Sequence, residues 1–150
     1  AHEKAMKLAP HYRDDWILAA DTVVSVGRRI LPKALNEQEA AHCLALLSGR
    51  RHRVTTAIAL LGPDGKAHIR VVETRVTFKS LSHAERAAYL ASSDWQGKAG
   101  GYGIQGLAAA FVRHLSGSYS NVVGLPLYEL SQMLQGQGYK LMKGWTSDHG

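Results

Sequence analysis

Residues Lys98-Ala99-Gly100-Gly101-Tyr102-Gly103-Ile104-Gln105-Gly106 hold four of the chain's fifteen glycines and lead directly into the apolar stretch Leu107 to Leu115. Without a Cβ, glycine allows φ > 0 and close approach to a ligand. The first turn of a helix that follows offers N–H groups and partial positive charge to an anion. Lys98 contributes a full charge, and Gln105 an amide that both donates and accepts. The same spacing also describes a flexible loop with a helix cap. It lacks the Gly-Lys-Ser/Thr of a P-loop and is not a Rossmann fingerprint.

Asp21 is the first acidic candidate. It follows the apolar run Trp16-Ile17-Leu18-Ala19-Ala20, which reads as a strand covered on both faces, and the carboxyl ends of such strands open into the ligand crevice of α/β sheets. A carboxylate there can hold a divalent metal or take a proton from water, or it can cap a turn or pair with a lysine. Thr22 beside it can contact a ligand or serve only its strand. Lys33, after Leu31-Pro32, and Lys4, on an amino-terminal helix, can reach a phosphate or stay solvated. The residues alone reach an anion site made by a basic glycine loop and an acidic strand end, with no reaction named.

The 150 residues fit one domain, 1–150, with a polar tail over 143–150 that is expected to fray. A net charge of +6 favours an anionic partner. The densest cationic run, Arg50-Arg51-His52-Arg53, lacks interleaved aromatics, which argues against a nucleic-acid groove. The single cysteine, Cys43, forms no intrachain disulfide and suits a reducing, cytoplasmic setting. Eight histidines without His-x-x-x-His spacing argue against structural zinc. No apolar run is long enough to span a membrane. The chain opens on Ala1, with Glu3 to Ala9 reading as a helix already under way, and a segment upstream is expected.

Secondary structure follows from period and punctuation. Val23 to Val26 and Ile30-Leu31 flank a hairpin turn at Gly27-Arg28-Arg29. Asn36 and Glu39 form a capping box for a helix with Ala40, Cys43, Leu44 and Leu47 on one face, stopped at Gly49. Arg53 to Leu61 and Ala67 to Phe78 read as paired strands around Gly62-Pro63-Asp64-Gly65. Ser82 and Glu85 cap a second helix through about Ala91. A helix is expected over Leu107 to Leu115, a short strand from Gly117 through Val123, and a last helix with Pro126 at its first position, ending near Gly136.

Taken in order, several segments resemble the Maf family of septum-formation-inhibitor-like nucleoside triphosphate pyrophosphatases. They are Lys4-Ala5, Leu18 through Val24, Ile30-Leu31-Pro32-Lys33, Leu46 through Arg50 with His52, Val54 and Thr55, Lys98 through Gly106, and Gly117 through Leu127. The resemblance implies an α/β fold, a two-lobed mixed sheet flanked by helices around a central cleft, similar to the inosine triphosphate pyrophosphatases. It implies hydrolysis of a nucleoside triphosphate to monophosphate and pyrophosphate. Asp21 matches the family's proposed proton acceptor, Thr22 and Gln105 match positions linked to nucleotide selectivity, and Lys4 and Lys33 match lysines of the cleft. Lys98 and Gly103 belong to the matching glycine-rich wall. Tyr-Gly-Ile-Gln-Gly resembles the branch acting on dTTP and UTP.

With that reaction, Mg²⁺ or Mn²⁺ bridging the phosphates neutralises charge, Lys33 and Lys4 add to it, and Asp21 is either the base or a metal ligand. A homodimer is implied by resemblance alone. The family's amino-terminal Ser/Arg-rich phosphate loop and a cleft glutamate have no counterpart here. Pro32-Lys33-Ala34 stands where the family has Gly-Lys-Pro, and Gly97 where an aspartate is common. The alternative to an enzyme is a non-catalytic nucleotide-binding regulator of cell division, which binds nucleotide without turnover. A nucleic-acid module built on Arg50, Arg51 and Arg53 would instead bind in a steeply salt-dependent way.

Overall fold

The computed structural model describes Ala1 and residues 16–142. Lys4, its expected helix and the tail from 143 lie outside the described residues. Five strands, β1 (Ile17–Val26), β2 (Arg29–Leu31), β3 (Arg51–Leu61), β4 (Ala67–Phe78) and β5 (Val112–Ser116), form one sheet in the order β2-β1-β3-β4-β5. Helices α1 (Glu37–Leu47), α2 (His83–Ala91), α3 (Tyr119–Val123) and α4 (Leu127–Gly136) complete an α/β fold. Among the described residues every strand pairing is antiparallel, where a mixed sheet is the expectation from resemblance.

The long β3 and β4 form as expected, with Val, Ile and Thr filling a pleated surface. Strand β1 differs from its expectation. It runs through Asp21 without a break and alternates, leaving Leu18 40% exposed, so it is not a strand covered on both faces. The β-branched Thr22-Val23-Val24 carries the extended backbone on to the two-residue turn at Gly27, where φ is +58°. Strand β2 is short and pairs only with Val24 to Val26. On that side, before Val24, no other strand among the described residues pairs with β1.

Two further expectations give way. Leu107 to Phe111 forms a single 3₁₀ segment, and the chain then turns into β5, pairing Leu115 with Val76 and His114 with Thr77. Short apolar runs do not distinguish helix from strand by period. Tyr119 to Val123 is helical, not extended, because Ser118 Oγ accepts from Asn121 N at 3.1 Å and caps the turn. That local bond outweighs the strand preference of Val122-Val123.

Both N-caps hold their helices, but only the second closes a full capping box. Asn36 accepts from Glu39 N at 2.8 Å, while the Glu39 carboxylate reaches back to Leu35 N at 2.9 Å. Ser82 and Glu85 exchange both bonds, and Lys79, 2.8 Å from Glu85, together with Ser82 N–H, holds that carboxyl down to about 2. Ala40, Cys43, Leu44 and Leu47 of α1 pack into the core formed with Val24, Val26, Val54, Val76 and Phe78.

Asn121, fully buried, secures α3 to the sheet. Its amide nitrogen lies 3.1 Å from Val54 O, 3.0 Å from Val72 O and 2.8 Å from Thr74 Oγ1, spanning β3 and β4. Removing it strands buried acceptors, so Asn121→Ala is expected to cost about 3 kcal/mol in urea denaturation, against about 1 kcal/mol for loss of the Ser82 cap in Ser82→Ala.

Candidate functional site

The glycine-rich segment is held by its own backbone. Ala34 N donates to Lys98 O at 3.2 Å, Gly97 N to Ala34 O at 2.9 Å, and Gly100 N to Leu31 O and Pro32 O at 3.3 and 3.2 Å. Lys33 and Ala99 thereby form an antiparallel bridge. Glycine is required at Gly100, where φ is +70° and a Cβ would press into Val24, and Gly103 leaves the space across which the Lys98 side chain lies. Two separate stretches of sequence thus place Lys33 and Lys98 together.

Between this segment, β1 and the end of α3 opens a cavity of about 340 Å³. Asp21, Thr22, Lys33, Lys98, Gly103 and Gln105 all line it. Five of these are polar or charged side chains, and among the described residues Asp21 supplies the only carboxylate in the lining. Thr22 pairs with Thr56 in register, and its face of the sheet carries Val24 and Val54 into the cavity. Strand alternation sends the Asp21 side chain to the opposite face. The cavity therefore lies along the stretch of β1 that β2 does not reach and that pairs on that side with no other strand among the described residues, with Thr22 on its inner face, Gln105 at its mouth and Asp21 at the turnover between faces.

The anion cradle expected at the entrance to Leu107 is already filled from within the protein. Leu107 N donates to Asp94 Oδ2 at 2.9 Å. The loop's contribution to the cavity is consequently its side chains, Lys98 and Gln105, together with Tyr102 and Ile104. The basic run does not form a free groove either: Arg53 donates to Gly27 O at 2.6 Å and approaches Glu73 at 3.6 Å. Cys43 is buried on α1, and burial with nearby Glu39 pushes its thiol up. Sequence reasoning passed over Tyr102 and Val122 to Gly124 as lining residues. Only the segment Gly117 through Leu127, by its resemblance, signalled that region.

Tyr102 is anchored below the cavity by His52, whose Nε2 lies 2.5 Å from the Tyr102 hydroxyl. Phe78 meets both rings edge-on, and Tyr89 donates to Gly101 O at 3.0 Å. Burial holds Tyr102 and Tyr89 above the ordinary phenol range.

An α/β protein with a cavity of small-ligand size, in which two lysines, one carboxylate, a hydroxyl and an amide converge, belongs to the class that binds and works on anionic small molecules. More narrowly, the chain belongs to the family described as Maf-like protein, whose profile matches residues 1–137. It is 59% identical over 140 residues to a dTTP/UTP pyrophosphatase of Caulobacter vibrioides, covering 93% of this chain and 72% of that protein. It is 60% identical over 139 residues to one of Paramagnetospirillum magneticum, covering 93% and 73%. With one of Granulibacter bethesdensis the identity is 62% over 125 residues, covering 83% and 59%.

Burial lowers His52 from 6.5 to about 4. The unfolded chain therefore takes up this proton near pH 6.5 and the folded chain only near pH 4, so folding stability declines as pH falls through that window. A denaturant series from pH 7 to 4 should show a loss of about 3 kcal/mol from this residue, absent in His52→Gln.

Proposed function

We propose that this protein hydrolyses pyrimidine nucleoside triphosphates, dTTP and UTP or modified forms of them, to the monophosphate and pyrophosphate. The observation that carries this reading is the single cavity shared by Asp21, Lys33, Lys98, Thr22 and Gln105, in a chain whose relatives are named for that activity. The placement of the charged groups in that cavity supports the following division of roles. The triphosphate runs along β1 toward Lys33 and Lys98, and the base lies between Thr22 and Gln105. Lys4, the other lysine of the motif, lies outside the described residues.

Water attacks the α-phosphorus in line, the bond from that phosphorus to the bridging oxygen breaks, and pyrophosphate leaves. Charge spreads over the phosphoryl oxygens as this happens, so positioned cations and a positioned water account for most of the rate. Asp21 serves this step either as the base that takes the proton of that water or as a ligand of the substrate's cation. Lys33 and Lys98 hold the departing pyrophosphate. Gln105, exposed at the cavity mouth, presents both a donor and an acceptor to the base edge.

A divalent cation fits this arrangement as a passenger on the substrate. Among the described residues no group of three or more His, Cys, Asp or Glu forms a cage, and Asp21 is the single carboxylate in the lining. One carboxylate plus substrate phosphates is how Mg²⁺ is commonly held, and Asp21 would hold Mg²⁺ or Mn²⁺. When bound, the ion neutralises phosphate charge.

Pyrophosphate release from dTTP and UTP in the presence of Mg²⁺ tests the reading directly. Asp21→Asn is expected to lower kcat at least a hundredfold with little change in KM. Lys33→Ala is expected to raise KM about tenfold through lost phosphate attraction. Turnover by Asp21→Asn equal to that of the parent, or no release from either nucleotide, overturns it.

A further inference from the structure

Thr56 lies outside the cavity, fully buried on β3, yet it touches the Thr22 hydroxyl, which lines it. Its Oγ1 is 2.9 Å from Thr22 Oγ1 and 3.4 Å from the backbone carbonyl of Asn121. Each hydroxyl has one proton to give. If Thr56 gave its proton to Thr22, the Asn121 carbonyl would lose that contact and Thr22 would have to find an acceptor in the cavity. If Thr22 gives to Thr56 and Thr56 to Asn121 O, both protons are satisfied inside the protein. A carbonyl cannot donate, so the second arrangement has a fixed direction set by the end of the relay.

We propose that Thr56 is a specificity-positioning residue. It holds the Thr22 proton inward, so that Thr22 offers the cavity lone pairs only and selects a ligand with a hydrogen-bond donor at that point. For a pyrimidine base this is the imino N3–H of uracil or thymine, and cytosine, whose N3 is an acceptor, is refused. The inference rests on the reading that the cavity takes a pyrimidine nucleotide with its base against Thr22. The structure adds two supports. Asn121, which terminates the relay, is itself fixed by Val54 O, Val72 O and Thr74, so the acceptor does not drift. Gly124, at φ +127°, also lines the cavity, and a Cβ there would come no nearer than 4.0 Å to Thr22 Oγ1, so the hydroxyl is not crowded from that side.

The test is the ratio of kcat/KM for UTP over CTP in the full chain, with Thr56→Val and Thr56→Ser. Valine keeps the shape and removes the acceptor, freeing the Thr22 proton to turn toward the cavity. Thr56→Val is expected to lower the UTP:CTP ratio about tenfold, chiefly through KM, while Thr56→Ser keeps it, and Thr56→Val adds nothing further in a Thr22→Val background. A purely structural role would reduce both substrates alike and leave the ratio unchanged, which overturns the proposal, as does loss of the ratio in Thr56→Ser. If Thr56→Val does not fold, Thr56→Cys, a weaker acceptor of similar size, is read in the same way. If the parent releases pyrophosphate from neither nucleotide, the hydrolytic reading fails. Calorimetric binding of the non-hydrolysable α,β-methylene analogues of UTP and CTP to the same variants then decides the relay on its own, and equal affinities of the parent for the two overturn it.

Discussion

The pairing of Leu31 to Ala34 with Gly97 to Gly100 is the constraint on which the cavity depends. Strand β2 ends after three residues, and the chain beyond it has no ladder of its own. By accepting and donating to the glycine segment, it becomes one side of a short backbone clasp that closes over β1. Every cation described in the cavity stands on that clasp, Lys33 on one side and Lys98 on the other. Backbone bonds of this kind do not depend on side-chain identity, which is why Pro32-Lys33-Ala34 can carry the lysine although its neighbours differ from the family's usual turn. What the clasp does require is a backbone able to bend twice in succession at Gly100 and Gly101, both at positive φ.

Beneath the clasp the interior is not uniformly apolar. His52, Thr56, Thr74 and Asn121 are all fully buried: the first three lie on the face of β3 and β4 that packs against α3 and the glycine segment, and Asn121 meets that face from α3. Buried polar groups add little net stability when satisfied and cost heavily when not, so they restrict the number of arrangements the core can adopt. Here they fix two things the cavity needs, the height of Tyr102 above the sheet and the position of α3. Among the described residues, His52 Nδ1 and Asn121 Oδ1 have no hydrogen-bond partner, so this layer tolerates little further loss of bonding.

The sequence disclosed much of this and hid some of it for identifiable reasons. The two caps at Asn36 and Ser82 were legible because capping is local chemistry, a side chain and a backbone group three residues apart. The β3–β4 hairpin was legible for a similar reason, since its turn residues and β-branched runs speak for themselves. Strand β1 was misread at Asp21 because an apolar run resembles a strand covered on both faces, and only the tertiary arrangement shows that it alternates between a core face and a more exposed one. Leu107 to Leu115 was misread as a helix because a strand that pairs with β4 and an apolar helix look alike over so few residues. At the site, the ordered motifs brought forward Asp21, Thr22, Lys33 and Gln105. Nothing in one dimension could show that Thr56, Asn121 and Asp94 stand behind them, since each acts through a partner 13 to 67 residues away.

Asp94 ties its own fate to that of Gly106. Its carboxylate occupies the space a Cβ on Gly106 would fill, while its Oδ2 receives the first N–H of the 3₁₀ segment. The two positions are therefore epistatic. A side chain at 106 pushes the Asp94 carboxylate away from the N–H it accepts, and shortening residue 94 first leaves the same helix end without its acceptor. Neither step is neutral alone, so the path by which this lineage could exchange its glycine-rich wall for a bulkier one passes through a less stable ancestor.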